Sequence, residues 1–231
     1  WNSVTHPPLN IRDQVLILDN KIIETSCQVR SRYFENDFLR EFFNKKFMEG
    51  WQWLCSPRPT LTEESFKEKP EIMFDGAQCI RCDDSILFNG STINHRMGFL
   101  WLTSTLPEYK WYYTDMTDNH IDSTVMPLRK GTVLVNPKKY KPHPIFKKWK
   151  VIKAPEPKEQ KYSKDDLKIA SQMIDINVLS LDENKVIVID DYVELQELLY
   201  KEGFDPIPVK LRHRRLFGGG FHCITLDTIR E

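Results

Sequence analysis

Apolar and polar positions recur along the chain in one order: two short apolar runs split by a tight turn, then a helical stretch, then a third apolar run. Gln14-Val-Leu-Ile-Leu18 and Lys21-Ile-Ile-Glu-Thr25 flank the turn Asp19-Asn20, which predicts a hairpin. From about Tyr33 to Glu49, Phe38, Leu39, Phe42, Phe43 and Phe47 fall on one face at helical spacing, and Gly50 follows as a stop. Trp51-Gln-Trp-Leu54 closes this unit as a strand.

The order then repeats. A strand from Ala77 to Cys82, a turn at Asp83-Asp84 and a strand Ser85-Ile-Leu-Phe88 precede a helix carrying Ile93, Met97, Leu100 and Trp101, and Lys110-Trp-Tyr-Tyr113 closes the second unit. The third runs from Ile121-to-Leu128 through the Arg129-Lys130-Gly131 turn and Thr132-Val-Leu-Val135 to a short helix near Ile145 to Trp149 and Lys150-Val-Ile-Lys153. The fourth has Asn177-Val-Leu-Ser-Leu181, Val186-Ile-Val-Ile189, a helix near Val193 to Lys201 and Pro206-Ile-Pro-Val-Lys-Leu211. Cys223-Ile-Thr-Leu-Asp227 is expected to be the first strand of a fifth. The units cover about 13–55, 75–113, 120–153 and 171–211, with a fifth starting in 221–231. Self-similar units bury each other's faces, so a ring of ββαβ units is expected: an α/β propeller with strands inside and helices outside.

Composition narrows the function classes. Lys plus Arg and Asp plus Glu are balanced at 33 each, so no global field favours a nucleic acid or an anionic membrane. The basic runs Lys138-Lys139-Tyr140-Lys141 and Arg212-His213-Arg214-Arg215 read as solvated faces. No apolar run is long enough to span a bilayer. Five cysteines, Cys27, Cys55, Cys79, Cys82 and Cys223, form no disulfide framework and suit a reducing, cytoplasmic setting, or a mitochondrial one in a eukaryote. Cys79 and Cys82 read as structural thiols in a strand. The chain opens on Trp1 and stops at Thr228-Ile229-Arg230-Glu231, so one catalytic domain, cut at both ends and with its ring open, is expected.

Polar residues mark the start of each unit's first strand: Asp13, Asp75, His120 with Asp122, Ser171, and Cys223. Pseudo-symmetry about an axis would bring them to one end of a central channel. A thiol, an imidazole and several carboxylates are what attack on a guanidinium requires. The guanidinium is planar and always charged, and carboxylates hold it through paired hydrogen bonds; Asp75 and Asp122 are the candidates. Its carbon is a poor electrophile, which calls for the Cys223 thiolate. The departing amine needs a proton and an incoming one must lose a proton, a task for His120. Gly218-Gly219-Gly220 before Cys223 lets backbone approach a ligand closely.

With these residues in view, the chain resembles glycine amidinotransferase and the bacterial amidinotransferases, of the pentein superfamily that modifies guanidino groups. The likeness is carried by Arg30-Ser-Arg-Tyr-Phe-Glu35, Phe74-Asp75-Gly76-Ala77, His120-Ile121-Asp122, Asn177-Val-Leu-Ser-Leu-Asp-Glu183 and Gly218-Gly-Gly-Phe-His-Cys223, and it covers nearly the whole chain. The resemblance implies a five-fold pseudo-symmetric propeller, Cys223 as nucleophile, His120 as acid/base and Asp75 as its assistant. It also implies arginine-binding positions at Asp13, Asp122 and Ser171, with Lys139 where the family carries an arginine and Gln78 where it carries an aspartate. The expected substrates are L-arginine and an acceptor amine, by default glycine. A homodimer is compatible with it, and no metal or organic cofactor is implied. An arginine deiminase-like hydrolase, with water as second nucleophile, and a non-catalytic relative are the rival readings.

Overall fold

The computed structural model describes residues 9–27, 29, 32–60, 70–157, 170 and 172–228. Their twelve strands form four three-stranded sheets, each from one stretch of chain. The first holds β1 (Val15–Leu18), β2 (Lys21–Glu24) and β3 (Gln52–Cys55); the second β4 (Cys79–Cys82), β5 (Ser85–Asn89) and β6 (Lys110–Thr114). The third holds β7 (Val125–Arg129), β8 (Thr132–Val135) and β9 (Lys150–Lys153); the fourth β10 (Leu179–Ser180), β11 (Lys185–Ile189) and β12 (Asp205–Val209). In every sheet the first two strands pair antiparallel and the third runs parallel to the second.

That pairing follows from the connections. Two-residue turns allow a hairpin, and Asp19, Asp83 and Gly131 supply the positive φ such turns require. A parallel return needs a crossover, provided by helices in units one, two and four. Among α1 (Ile11–Gln14), α2 (Arg40–Met48), α3 (Ile93–Thr105), α4 (Val193–Lys201) and α5 (Arg214–Phe217), those crossovers are α2, α3 and α4. Thr92 caps α3 by accepting from the His95 N–H, and α4 buries Leu195 and Leu199. The middle strands β5 and β8 are buried at every position, and their centres are apolar: Ile86 to Phe88 and Val133 to Val135. One core cluster runs through units two, three and four and includes Phe221.

A short helical turn precedes each first strand: α1, then 3-10 turns at Gly76–Gln78, Ile121–Ser123 and Gln172–Ile176. The turns pack on one another around the axis. At the opposite end the hairpin turns are pinned together by Arg81 to Asp19 and Lys130 to Asp83. A cavity of about 460 Å³ follows the axis from those turns to Gly76 and His222.

Four expectations differ from what is observed. Residues 35–39 are 3-10 helix before α2, and only Phe43 of the aromatic stripe is fully buried; Phe38 and Phe47 are 53% and 58% exposed. A 3-10 segment turns about 120° per residue rather than 100°, which rotates Phe38 off the stripe. The third unit has a single 3-10 turn, Pro144–Phe146, in place of its helix. Cys223 to Asp227 forms no strand: residues 221–224 are a turn, and the Cys223 carbonyl accepts from the Arg12 N–H of α1 instead of a ladder partner. The run Arg212 to Arg215 is not uniformly solvated either. Arg214 is 3% exposed and donates to both Asp175 oxygens and to Asp191.

That ion triad fastens α5, which carries the glycine loop, to unit four. Removing one member of a buried pair leaves an uncompensated charge. Arg214→Ala is expected to lower unfolding free energy by roughly 3–5 kcal/mol in urea denaturation.

Candidate active site

The helical turns aim their side chains at one point. Asp13 sits in α1, Asp75 just before the Gly76 turn, His120 and Asp122 at the Ile121–Ser123 turn, and Cys223 in the 221–224 turn. Gly76 permits the first approach: a Cβ there would lie 2.3 Å from the Arg12 carbonyl oxygen and 2.7 Å from that of Val15. The glycine loop is set by packing. Gly218 ends α5 at φ +68, and a Cβ on Gly220 would meet the Asn177 Cβ at 2.6 Å. Asn89, fully buried, accepts from Thr117 N–H and donates to the Thr117 and Asn119 carbonyls, holding the loop that delivers His120.

His120 lies between two carboxylates: Nε2 is 2.7 Å from Asp75 Oδ2 and Nδ1 is 3.3 Å from Asp13 Oδ1. Its side chain keeps 28% of its surface exposed, enough to meet a ligand. Burial opposes its charge, but Asp13, then Asp75 and Asp122, outweigh burial and push the ring up to about 10. Asp13 is itself pushed up to about 6 by burial, with Asp75 adding to the shift and His120 and Arg32 opposing it. Asp75 stays below the usual carboxylate range: burial works against it, and the hydrogen bond and charge of His120 prevail.

The thiol belongs to a second group. Cys223 Sγ donates to Asp122 Oδ2 at 3.5 Å, and His222 Nδ1 lies 2.8 Å from the same oxygen. Burial opposes the charge of Asp122, but His222 and His120 hold it at about 2. Burial pushes the Cys223 thiol well above its usual value, and Asp122 and Asp13 add to this. At rest Cys223 is therefore a thiol. Asp75 and Asp122 each hold Oδ2 in contacts with the protein, while Oδ1 is buried without a hydrogen-bond partner among the described residues; Asp13 holds Oδ2 on Arg32 and turns Oδ1 to His120 Nδ1 at 3.3 Å. Inward-facing carboxylate oxygens beside a thiol and an imidazolium suit a planar cation with several N–H donors.

No family profile matches the chain. It is 31% identical over 252 residues to the L-arginine:L-lysine amidinotransferase of Pseudomonas savastanoi pv. phaseolicola, a match covering all of this chain and 69% of that protein. The chain belongs to the amidinotransferase family. The solved inosamine-phosphate amidinotransferase of Streptomyces griseus superposes with TM-score 0.88 at 31% identity, over 96% of this chain and 68% of the other. The mitochondrial glycine amidinotransferase of Gallus gallus is 32% identical over 95% of this chain and 58% of its own length. The α/β propeller of repeated ββαβ units is thus the fold of an amidinotransferase, an enzyme that transfers amidino groups.

Not every predicted position joins the cluster. Lys139 is exposed in the turn after β8, near the cluster's end of the unit because the Asn136 N–H donates to the Thr124 carbonyl. Its side chain contacts none of the other candidates among the described residues. Ser171 lies outside the described residues. Gln78 is buried and its N–H donates to the Asp75 carbonyl. Sequence reasoning missed Arg32, whose guanidinium bonds Asp13 Oδ2 at 2.8 Å and Glu35 at 2.9 Å, and Asn177, whose Oδ1 accepts from the Cys223 N–H at 2.9 Å. Both stand in segments quoted for the family likeness, but neither segment reveals which side chain turns inward.

The His120–Asp75 contact can be tested directly. In 15N NMR of the ring nitrogens, His120 is expected to titrate near 10. Asp75→Asn should lower that midpoint by about one unit or more, because the hydrogen-bonded counter-charge is removed.

Proposed function

We propose that this amidinotransferase takes the amidino group of L-arginine onto Cys223 and passes it to an acceptor amine, with glycine as the default acceptor. The observation that carries the reading is the convergence of Cys223, His120, Asp13 and the Oδ1 atoms of Asp75 and Asp122, which have no hydrogen-bond partner among the described residues. Asp13 and Asp122 grip the guanidinium, whose charge offsets the carboxylates that keep the thiol protonated. The thiol then ionises beside its target and releases its proton to solvent.

The Cys223 thiolate forms a bond to the guanidinium carbon as the bond from that carbon to the ornithine nitrogen breaks. His120, protonated at neutral pH, gives its proton to the departing nitrogen, so neutral imidazole and an amidino-cysteine cation remain. Asp75 keeps the ring oriented. The acceptor amine next attacks the same carbon, its proton passes to His120, and the carbon–sulfur bond breaks to regenerate thiolate. On the family resemblance, Lys139 is assigned to the substrate carboxylate and Ser171 to arginine binding. Lysine keeps the charge of the family's arginine but not its bidentate fork.

Mass spectrometry of the complete protein incubated with arginine alone should show one amidino group on the Cys223 peptide and free ornithine. Cys223→Ala should show neither, and His120→Ala should slow release by about 10²–10⁴-fold. A panel of amines, with glycine, lysine and an amino-cyclitol phosphate among them, then identifies the acceptor. Citrulline and ammonia in place of a guanidino product would assign the hydrolase reading, and arginine binding without any adduct the non-catalytic one. Arginine affinity has a pH signature as well. Asp13 takes up its proton as pH falls through about 6, so KM for arginine should rise below that value, and Asp13→Asn should flatten this limb while weakening binding at neutral pH.

A further inference from the structure

His222 precedes the nucleophile and has no part in the chemistry above, yet it is among the most constrained side chains near the site. It is 5% exposed, and its Nδ1 lies 2.8 Å from Asp122 Oδ2. An ionised carboxylate can only accept, so Nδ1 carries the proton and the ring donates. The same Oδ2 accepts from Cys223 Sγ. One carboxylate oxygen therefore serves two donors, and the strength of one contact sets what is left for the other.

The backbone fixes this arrangement. Asn177 Oδ1 accepts from the Cys223 N–H, its carbonyl accepts from the His222 N–H at 3.3 Å, and its Nδ2 donates to the Asp122 carbonyl at 3.3 Å. Arg12 Nε donates to the His222 carbonyl at 2.6 Å. These bonds fix the backbone of His222 and Cys223 and so place both side chains within reach of Asp122 Oδ2.

We propose that His222 is a positioning residue for the nucleophile: by donating to Asp122 it limits that carboxylate's hold on the Cys223 proton and turns the unbonded Oδ1 toward the guanidinium. The proposal rests on Cys223 being the nucleophile. The groups that face this unit are few. Asp122 and Asp13 face the thiol; Arg12 from α1, Asp122 and Asp227 face His222; His222, His120 and the Asn177 amide face Asp122. Burial and then Arg12 hold the His222 ring below its ordinary value, against Asp122 and Asp227, so it stays a neutral donor at neutral pH.

The test is the pH titration of Cys223, followed through the 13C shift of its Cβ by NMR in the full chain. Cys55, exposed, is the internal reference, and iodoacetamide reports folding, because buried Cys79 and Cys82 react only when the fold opens. Without the donor, Asp122 holds the thiol proton more tightly, so His222→Leu should raise the Cys223 midpoint by about one pH unit, with Cys55 unchanged. His222→Asn, which places an NH₂ where Nδ1 stood, should return the midpoint most of the way to wild type. In the Asp122→Asn background, His222→Leu should add no further shift, which shows that it acts through Asp122. Should His222→Leu expose Cys79 and Cys82, His222→Gln, whose NH₂ stands nearer the Nε2 position, replaces it. An unshifted midpoint in a folded variant without the donor, or equal shifts for Leu and Asn, overturns the proposal. The titration needs no turnover, so the outcome is separate from whether arginine leaves an amidino adduct. Where it does, kcat at neutral pH should fall about tenfold in His222→Leu, with KM for arginine changing less.

Discussion

Three buried carboxylates at one end of the ring axis could not stay ionised together without cations among them, and His120 is the cation at their centre. It is paired with Asp75 and faces Asp13, while Arg32 neutralises Asp13 from behind. Low local polarity makes each of these attractions large and each unpaired charge costly. The charge pattern thereby decides the resting state of the site: imidazolium, mostly ionised carboxylates, and a protonated thiol.

Under the proposed function, this balance would select a cation before any chemistry occurs. A guanidinium adds the positive charge that the carboxylates lack and supplies N–H donors for their unbonded oxygens. A neutral urea would satisfy some hydrogen bonds and leave the electrostatic repulsion in place. In the proposed reaction, recognition and activation of the thiol become one event, because the charge that binds is the charge that lets sulfur ionise. The helical turns that start each unit matter for this reason: they put polar groups at the axis on short, tightly bonded backbone, while the strands behind them carry only packing.

Much of the architecture was legible in the chain itself. Two-residue turns such as Asp19-Asn20 and Asp83-Asp84 between apolar runs specify hairpins, and α3 and α4 follow from helical spacing. Asp13, Asp75, His120, Asp122 and Cys223 stood out because they recur at equivalent points of successive units. Local pattern misled where the partner was elsewhere. Cys223 to Asp227 has the composition of a strand, but strands exist only as paired ladders, and this backbone bonds to α1 instead. Arg214 sits in a run of exposed-looking basic residues, and only Asp175 and Asp191, distant in sequence, draw it inside.

The sequence by itself determined the repeated hairpin-and-crossover unit and the chemical inventory of the site, because turn geometry, helical period and side-chain type are local properties. Only the tertiary structure decided which atom faces which. That Asp122 serves Cys223 and His222 through a single oxygen, that Asn177 ties Cys223 to the Asp122 turn, and that Lys139 stays outside the cluster all depend on contacts between units. Their geometry is set by the packing of four sheets around an axis, to which no one segment's pattern has access.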